Sequence, residues 1–122
     1  MAKTKQDKRR QKRIEQEIVV DANGPEEQAM GWYYYLEEKL RFPFRGKCIC
    51  PRATSPLRKG QQVEVTDLAG AEECGQEMFV TVSWEGRKLA VPLAQLEPIQ
   101  ADKTTREAIK DWHYWVERGY EF

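Results

Sequence analysis

Two stretches with helical periodicity enclose a central stretch that alternates with the period of two typical of β-strands. The alternation is clearest in Gln62–Thr66, Met78–Trp84 and Lys88–Val91, and Glu85-Gly86 between the last two can form a turn. Four or five short strands within about 50 residues are typical of a small antiparallel barrel. We therefore predict an α+β fold in which the barrel occupies approximately residues 45–97.

Two phrases of the central stretch resemble SH3-like barrels: Leu57–Val65 and Trp84–Leu96. The predicted barrel is flanked by two aromatic-rich helices at approximately residues 26–41 and 104–118. Pro25 before two glutamates favours a helix start, and Asp102 can cap the second helix. Gly31 weakens the first helix by roughly 1 kcal/mol relative to alanine, which predicts a close packing contact at that position.

The net charge of zero hides an uneven distribution. Residues 1–13 carry seven basic side chains and one acidic side chain, whereas residues 14–122 carry 13 basic and 19 acidic side chains. The first stretch has no apolar residue after Ala2, so we predict a disordered basic tail over residues 1–13, helical at most transiently. Such a tail can attract nucleic acid or another anionic surface, or it can simply increase solubility.

Several classes of protein are excluded or disfavoured. No apolar run approaches the roughly 20 residues that span a bilayer, and no signal-peptide pattern is visible. Three cysteines, an odd number, favour a reducing, cytoplasmic location. A catalytic pair would have to use His113, the only histidine, which lies in an aromatic helix, so we predict no enzyme. A zinc site would need that histidine with Cys48, Cys50 and Cys74, whose spacing is not that of a zinc knuckle.

Carboxylates are the more informative group, because hard cations such as Ca²⁺ are bound by several oxygen ligands. They occur as doublets and as a C-terminal group: Glu26-Glu27, Glu37-Glu38, Glu72-Glu73, Asp111, Glu117 and Glu121. An EF-hand loop beginning at Asp21 is excluded, because Glu26 stands where the loop needs glycine and Trp32 where it needs glutamate.

The stretch Arg13–Phe44, with the phrase Gly31-Trp32-Tyr33-Tyr34-Tyr35, closely resembles the cyanobacterial calcium-binding protein family. Further matching phrases are Met78-Phe79-Val80, Leu89–Leu93, and Asp111–Val116 with Arg118–Phe122. The resemblance covers roughly residues 13–122. It implies a single compact calcium-binding domain over residues 14–122, without an EF-hand, that binds Ca²⁺ reversibly through side-chain carboxylates.

On that interpretation, we predict Glu38 and Asp111 as the first metal ligands, followed by Glu37 and Glu117. Glu37 and Glu38 lie where the first helix ends and leaves backbone carbonyls free. They need not meet Asp111 and Glu117 if the two helices pack antiparallel, but they can if the second helix crosses the first. Glu72 and Glu73 can form a second, weaker site.

The predicted function is reversible Ca²⁺ binding, as a buffer or sensor in calcium signalling. The alternative is a module that binds nucleic acid or protein through the SH3-like barrel and the basic N-terminal arm. We expect the calcium ion as the ligand, a possible weak anionic partner for the tail, and no membrane.

Overall fold

The computed structural model describes residues 7–20, 22–53, 55–70, 72, 74 and 77–118. Two short helical segments come first: α1 (Lys8–Arg13) and a π-helical segment (Ile14–Ile18). The longer helices are α2 (Pro25–Lys39) and α3 (Lys103–Glu117). Their bounds are close to the predicted ones, because Pro25 starts α2 and the Asp102 side chain accepts a hydrogen bond from the Thr105 amide, 2.7 Å away, at the start of α3.

Five strands lie between α2 and α3, and they form one antiparallel sheet in the order β4-β3-β2-β1-β5. Their bounds are β1 (Phe44–Cys48), β2 (Gln62–Leu68), β3 (Phe79–Trp84), β4 (Arg87–Pro92) and β5 (Leu96–Gln100). A 3₁₀ turn, Leu93–Gln95, joins β4 to β5. The predicted α+β class and antiparallel sheet are confirmed. Closure into a barrel is not seen, because the two edge strands β4 and β5 do not pair within the described residues.

The β3–β4 hairpin shows how a local turn sets the register of two strands. Glu85 and Gly86 have φ angles of 46° and 78°, and two successive positive φ values match the turn that connects twisted antiparallel strands. The turn aligns Val80 with Val91 and Val82 with Leu89. The valines of β3 therefore point to the same buried face as those of β2.

The core lies between this sheet face and the helices. Trp32 of α2 is fully buried, and its ring lies 5.1 Å from that of Trp112 and 5.7 Å from that of Trp115, both on α3. The first pair is edge-on and the second is tilted, and aromatic pairs at these distances stabilise a helix contact beyond the area they bury. The tryptophans thereby fix α3 against α2, which brings Asp111 of α3 within hydrogen-bond distance of Tyr35 of α2.

Gly31 occupies the contact between α2 and the π-helical segment. A Cβ atom on Gly31 would lie 2.2 Å from the carbonyl oxygen of Ile18 and 3.3 Å from its carbonyl carbon. No side chain fits at that distance, so the prediction of a close packing contact at Gly31 is confirmed. Ile14 and Ile18 are both buried, and the segment is thereby held on α2.

None of the helices in the part of the chain that the structure describes has the length and apolar character needed to cross a membrane.

Candidate metal centre

Asp111 is completely buried on α3 and both of its carboxylate oxygens are occupied by hydrogen-bond donors. Oδ1 accepts from Nη1 of Arg10 and, at 2.7 Å, from Nη2 of Arg13. Oδ2 accepts from Nε of Arg13 at 3.1 Å and from the Tyr35 hydroxyl at 2.7 Å. Two guanidinium groups and a phenol therefore satisfy the charge and the lone pairs of this buried carboxylate.

The pKa values of the partners reflect the same contacts. The hydrogen bonds to Asp111 raise the pKa of Arg13 above its ordinary value. Burial, together with the hydrogen bond that it donates to Asp111, raises the pKa of the Tyr35 phenol far above its usual range. Both partners consequently keep their protons, which is the state that holds a buried carboxylate anion.

This network corrects the prediction of a disordered tail for residues 8–13. These residues form α1, whose N-terminus is capped by Asp7 accepting from the Arg10 amide at 3.0 Å. The helix is also tied to α3 by Tyr114, whose hydroxyl accepts from the Asp7 amide at 3.1 Å and donates to Gln11 at 3.0 Å. The charge pattern alone missed this helix because its partner is a single buried carboxylate far along the sequence. Residues 1–6 lie outside the described residues.

Asp111 is therefore not available as a metal ligand in this structure. A calcium ion at its oxygens would have to displace the guanidinium groups of Arg10 and Arg13, which would then lose their anionic partner. Asp111 as a ligand stays a prediction, and its contacts in this structure do not favour it. The helical periodicity places Asp111 off the buried stripe of α3, whereas the structure turns it inward toward α1 and Tyr35.

Glu37 and Glu72 come from different elements and act on the same side chain. Burial raises the pKa of Tyr33 of α2, and the nearby Glu37, Cys74 and Glu72 raise it further. Glu37 is one helical turn beyond Tyr33, whereas Glu72 belongs to the acidic loop between β2 and β3. Two of the predicted carboxylates, both exposed, are therefore near enough to Tyr33 to affect its pKa.

The acidic loop is held at its base by Cys74, which is buried. Its Sγ accepts from the Phe79 amide at 3.4 Å and lies 3.9 Å from the Ala69 carbonyl oxygen, so it contacts both ends of the loop. Nη1 of Arg52 donates to Glu77 at 2.7 Å on the same loop. The loop therefore presents Glu72 from a fixed base, while Glu77 is already paired with a cation.

The remaining predicted ligands have other described neighbours or lie outside the described residues. Glu38 is exposed and its carboxylate lies 3.8 Å from Nζ of Lys39. Glu117 is exposed and borders a groove with Glu97 and His113. Burial lowers the pKa of His113. Glu73 lies outside the described residues.

Among the residues that the structure describes, no three histidine, cysteine, aspartate or glutamate side chains are arranged to hold a metal ion. This finding gives no support to the zinc alternative. Glu37 and Glu72 remain the two predicted ligands that raise the pKa of a common neighbour, Tyr33.

The CcbP family model, described as calcium binding, matches residues 12–116. The chain belongs to this family. The family predicted from the phrase around Gly31 is therefore confirmed. The matched residues include α2, the whole sheet and nearly all of α3.

Two solved structures resemble the chain over its full length. The crystal structure of Anabaena CcbP shares 44% sequence identity with it, covers 100% of both chains and superposes with a TM-score of 0.87. A calcium-binding protein in its calcium-binding form shares 43% identity, again covers 100% of both chains and has a TM-score of 0.86. A comparison with curated proteins finds no match.

Proposed function

We propose that this CcbP-family protein binds Ca²⁺ reversibly where the C-terminal half of α2 meets the acidic loop. Glu37 and Glu72 are the central ligands, and Glu38 and Glu73, their sequence neighbours, complete the carboxylate set. The observation that carries the proposal is the common influence of Glu37 and Glu72 on Tyr33. A divalent cation bound between carboxylates from two separate elements would offset the negative charge of both.

The calcium-binding family and the calcium-binding form of a 43% identical structure support the choice of Ca²⁺ as the cation. The chemistry of the donors supports it as well, because exposed carboxylates without a nearby histidine or thiolate pair suit a hard cation. Glu117 and Asp111 are left out of the proposed site, since one borders a different groove and the other is neutralised by arginines.

Binding and not catalysis is the proposed activity. The side chain considered for catalysis is His113, which is half-buried and has a pKa lowered by burial. The carboxylates near Tyr33 are instead exposed to solvent. We propose that the protein acts in the cytoplasm as a calcium buffer or sensor.

The finer fold assignment is also a proposal: the sheet is of the SH3-like type, and α2 and α3 flank it with their aromatic faces. The strand order, with β1 between β2 and β5, supports this assignment, as does the 3₁₀ turn that leads into β5.

Calorimetric titration of Ca²⁺ into matched variants tests the site. We expect Glu37→Gln and Glu72→Gln each to weaken binding by about tenfold or more, because each removes an anionic ligand. Glu26→Gln is the matched control, since it removes the same charge from the first turn of α2 and is expected to leave the affinity nearly unchanged.

Terbium luminescence supplies a second measurement. Excitation of tyrosine should sensitise Tb³⁺ bound beside Tyr33, and Ca²⁺ should displace it. The proposed site is wrong if both glutamine variants bind Ca²⁺ like the unchanged protein, or if both sensitise Tb³⁺ emission like the unchanged protein.

A further inference from the structure

Six exposed basic side chains lie on α1 and on the N-terminal part of α3. We refer to them together as the basic surface: Lys8, Arg9, Lys12, Lys103, Arg106 and Lys110. The three on α3 follow each other at i, i+3 and i+7, a spacing that places them along one face of the helix. No acidic group lies within ion-pair distance of any of the six in the portion of the chain that the structure describes.

Two grooves show that the cations of α1 and α3 border common spaces. One groove, of about 420 Å³, is lined by Arg9 and Arg13 from α1 and by Lys103 from α3. The other, of about 610 Å³, is lined by Arg10 from α1 and by Arg106 and Lys110 from α3, together with the acidic Asp7, Glu97 and Glu117. Members of the basic surface on the two helices therefore adjoin at Arg9 and Lys103.

Three of the acidic side chains beside this surface are already engaged by other groups. Glu107 accepts from Arg10 at 3.2 Å, and Asp7 caps α1. Asp102 caps α3 and lies 3.6 Å from Arg41. Arg10 and Arg13, which hold α1 in place through Asp111, are not counted in the surface. The six remaining cations therefore lie on two helices that are packed together, and not on a disordered tail.

We propose that the basic surface binds the phosphate backbone of a nucleic-acid duplex. Regularly spaced cations on two packed helices match the closely spaced, fixed charges of a duplex. Among the residues that the structure describes, the exposed large apolar side chains lie on neither α1 nor α3; they are Val20, Met30, Tyr34 and Ile99. The surface accordingly offers no apolar anchor for a membrane and no stacking platform for single strands.

This inference is independent of the calcium site, which uses α2 and the acidic loop. It also differs from the nucleic-acid alternative predicted from the sequence, since the strands of the sheet are not involved. The contacts are to phosphates, so the interaction is expected to depend little on sequence and strongly on salt.

Fluorescence anisotropy with a short labelled DNA duplex tests the proposal on the full chain. If all six cations contact phosphates, raising salt from about 50 to about 200 mM should weaken binding by about 10³-fold. The triple variant Lys103→Gln, Arg106→Gln, Lys110→Gln should weaken binding at low salt by at least about tenfold and reduce the salt slope by about 2 to 3.

A matched triple variant controls for net charge: Arg58→Gln, Lys59→Gln and Lys88→Gln remove three exposed cations from the sheet region. It should retain most of the affinity. Equal losses in the two triple variants would overturn the proposal, because net charge alone would then explain binding. A stronger response to anionic vesicles or to a single strand than to the duplex would overturn it as well. Circular dichroism of both variants verifies that they are folded.

Discussion

Replacing Gly31 by alanine should destabilise the protein, although helix propensity predicts the opposite. In an unconstrained helix the change would stabilise α2 by roughly 1 kcal/mol. Here the added Cβ would meet the Ile18 carbonyl oxygen at 2.2 Å, about 1 Å inside ordinary contact, and the obstacle is backbone that cannot rotate away. Either α2 or the π-helical segment has to move.

The magnitude follows from what the movement disturbs. Overpacking a fixed contact typically costs about 1–3 kcal/mol. If the segment lifts from α2, the burial of Ile14 and Ile18 is reduced as well, and each buried isoleucine contributes about 1.5–3 kcal/mol. After the gain in helix propensity is subtracted, we expect a net loss of about 2 kcal/mol or more. For a domain of this size, that corresponds to a melting temperature lower by roughly 8 °C.

Urea unfolding followed by tryptophan fluorescence measures this loss, since Trp32 lies next to Gly31 in α2. Gly24→Ala is the matched control, because a Cβ at Gly24 meets nothing within 4 Å, and a change of no more than about 1 kcal/mol is expected there. If Gly31→Ala unfolds at the same or a higher urea concentration than the unchanged protein, the close contact inferred between Gly31 and Ile18 is refuted.

Three further predictions concern the charged groups. Asp111→Asn should lower the free energy of unfolding by about 3 kcal/mol, since the guanidinium groups of Arg10 and Arg13 lose a buried anionic partner. A loss below about 1 kcal/mol in the same urea assay would contradict the hydrogen-bond network around Asp111. Arg52→Gln should strengthen Ca²⁺ binding severalfold, because it frees Glu77 and removes a competing cation from the acidic loop. Calorimetry measures the affinity, and unchanged or weaker binding argues against that competition. Burial and then nearby negative charges raise the pKa of Tyr33, so Ca²⁺ bound beside it should lower that pKa. The absorbance of the Tyr33 phenolate in an alkaline titration, with and without Ca²⁺, measures this shift. A pKa that is unchanged or higher with Ca²⁺ contradicts a site beside Tyr33.

Local patterns predicted the elements well because their causes are local. Pro25 and Asp102 act within one helical turn, and the alternation in β2 and β3 follows directly from a sheet with one buried face. The close contact at Gly31 was also predictable, since a glycine weakens the interior of a helix and is favoured there where another backbone approaches too closely for a side chain.

The candidate site was less predictable because its contacts are not local. Nothing in the neighbourhood of Asp111 indicates that Arg10 and Arg13 neutralise it, and for the same reason the charge pattern of residues 8–13 is typical of a tail. The presence of Asp7 three residues before Arg10, with Ile14 to bury, was the available indication of a short capped helix. The position of Glu72 near Tyr33 depends on how a loop packs on α2, which composition and periodicity do not specify.

The contact between α1 and α3 also bears on the order of folding. Arg10 and Arg13 are separated from Asp111 by 101 and 98 positions along the chain. Contacts of such long sequence separation require the largest loop closures and slow the folding of small domains. During synthesis α1 therefore emerges from the ribosome well before α3 and acquires its partner only once α3 has been made. We therefore expect the α1–α3 contact to form late, after the local strand pairings such as the β3–β4 hairpin.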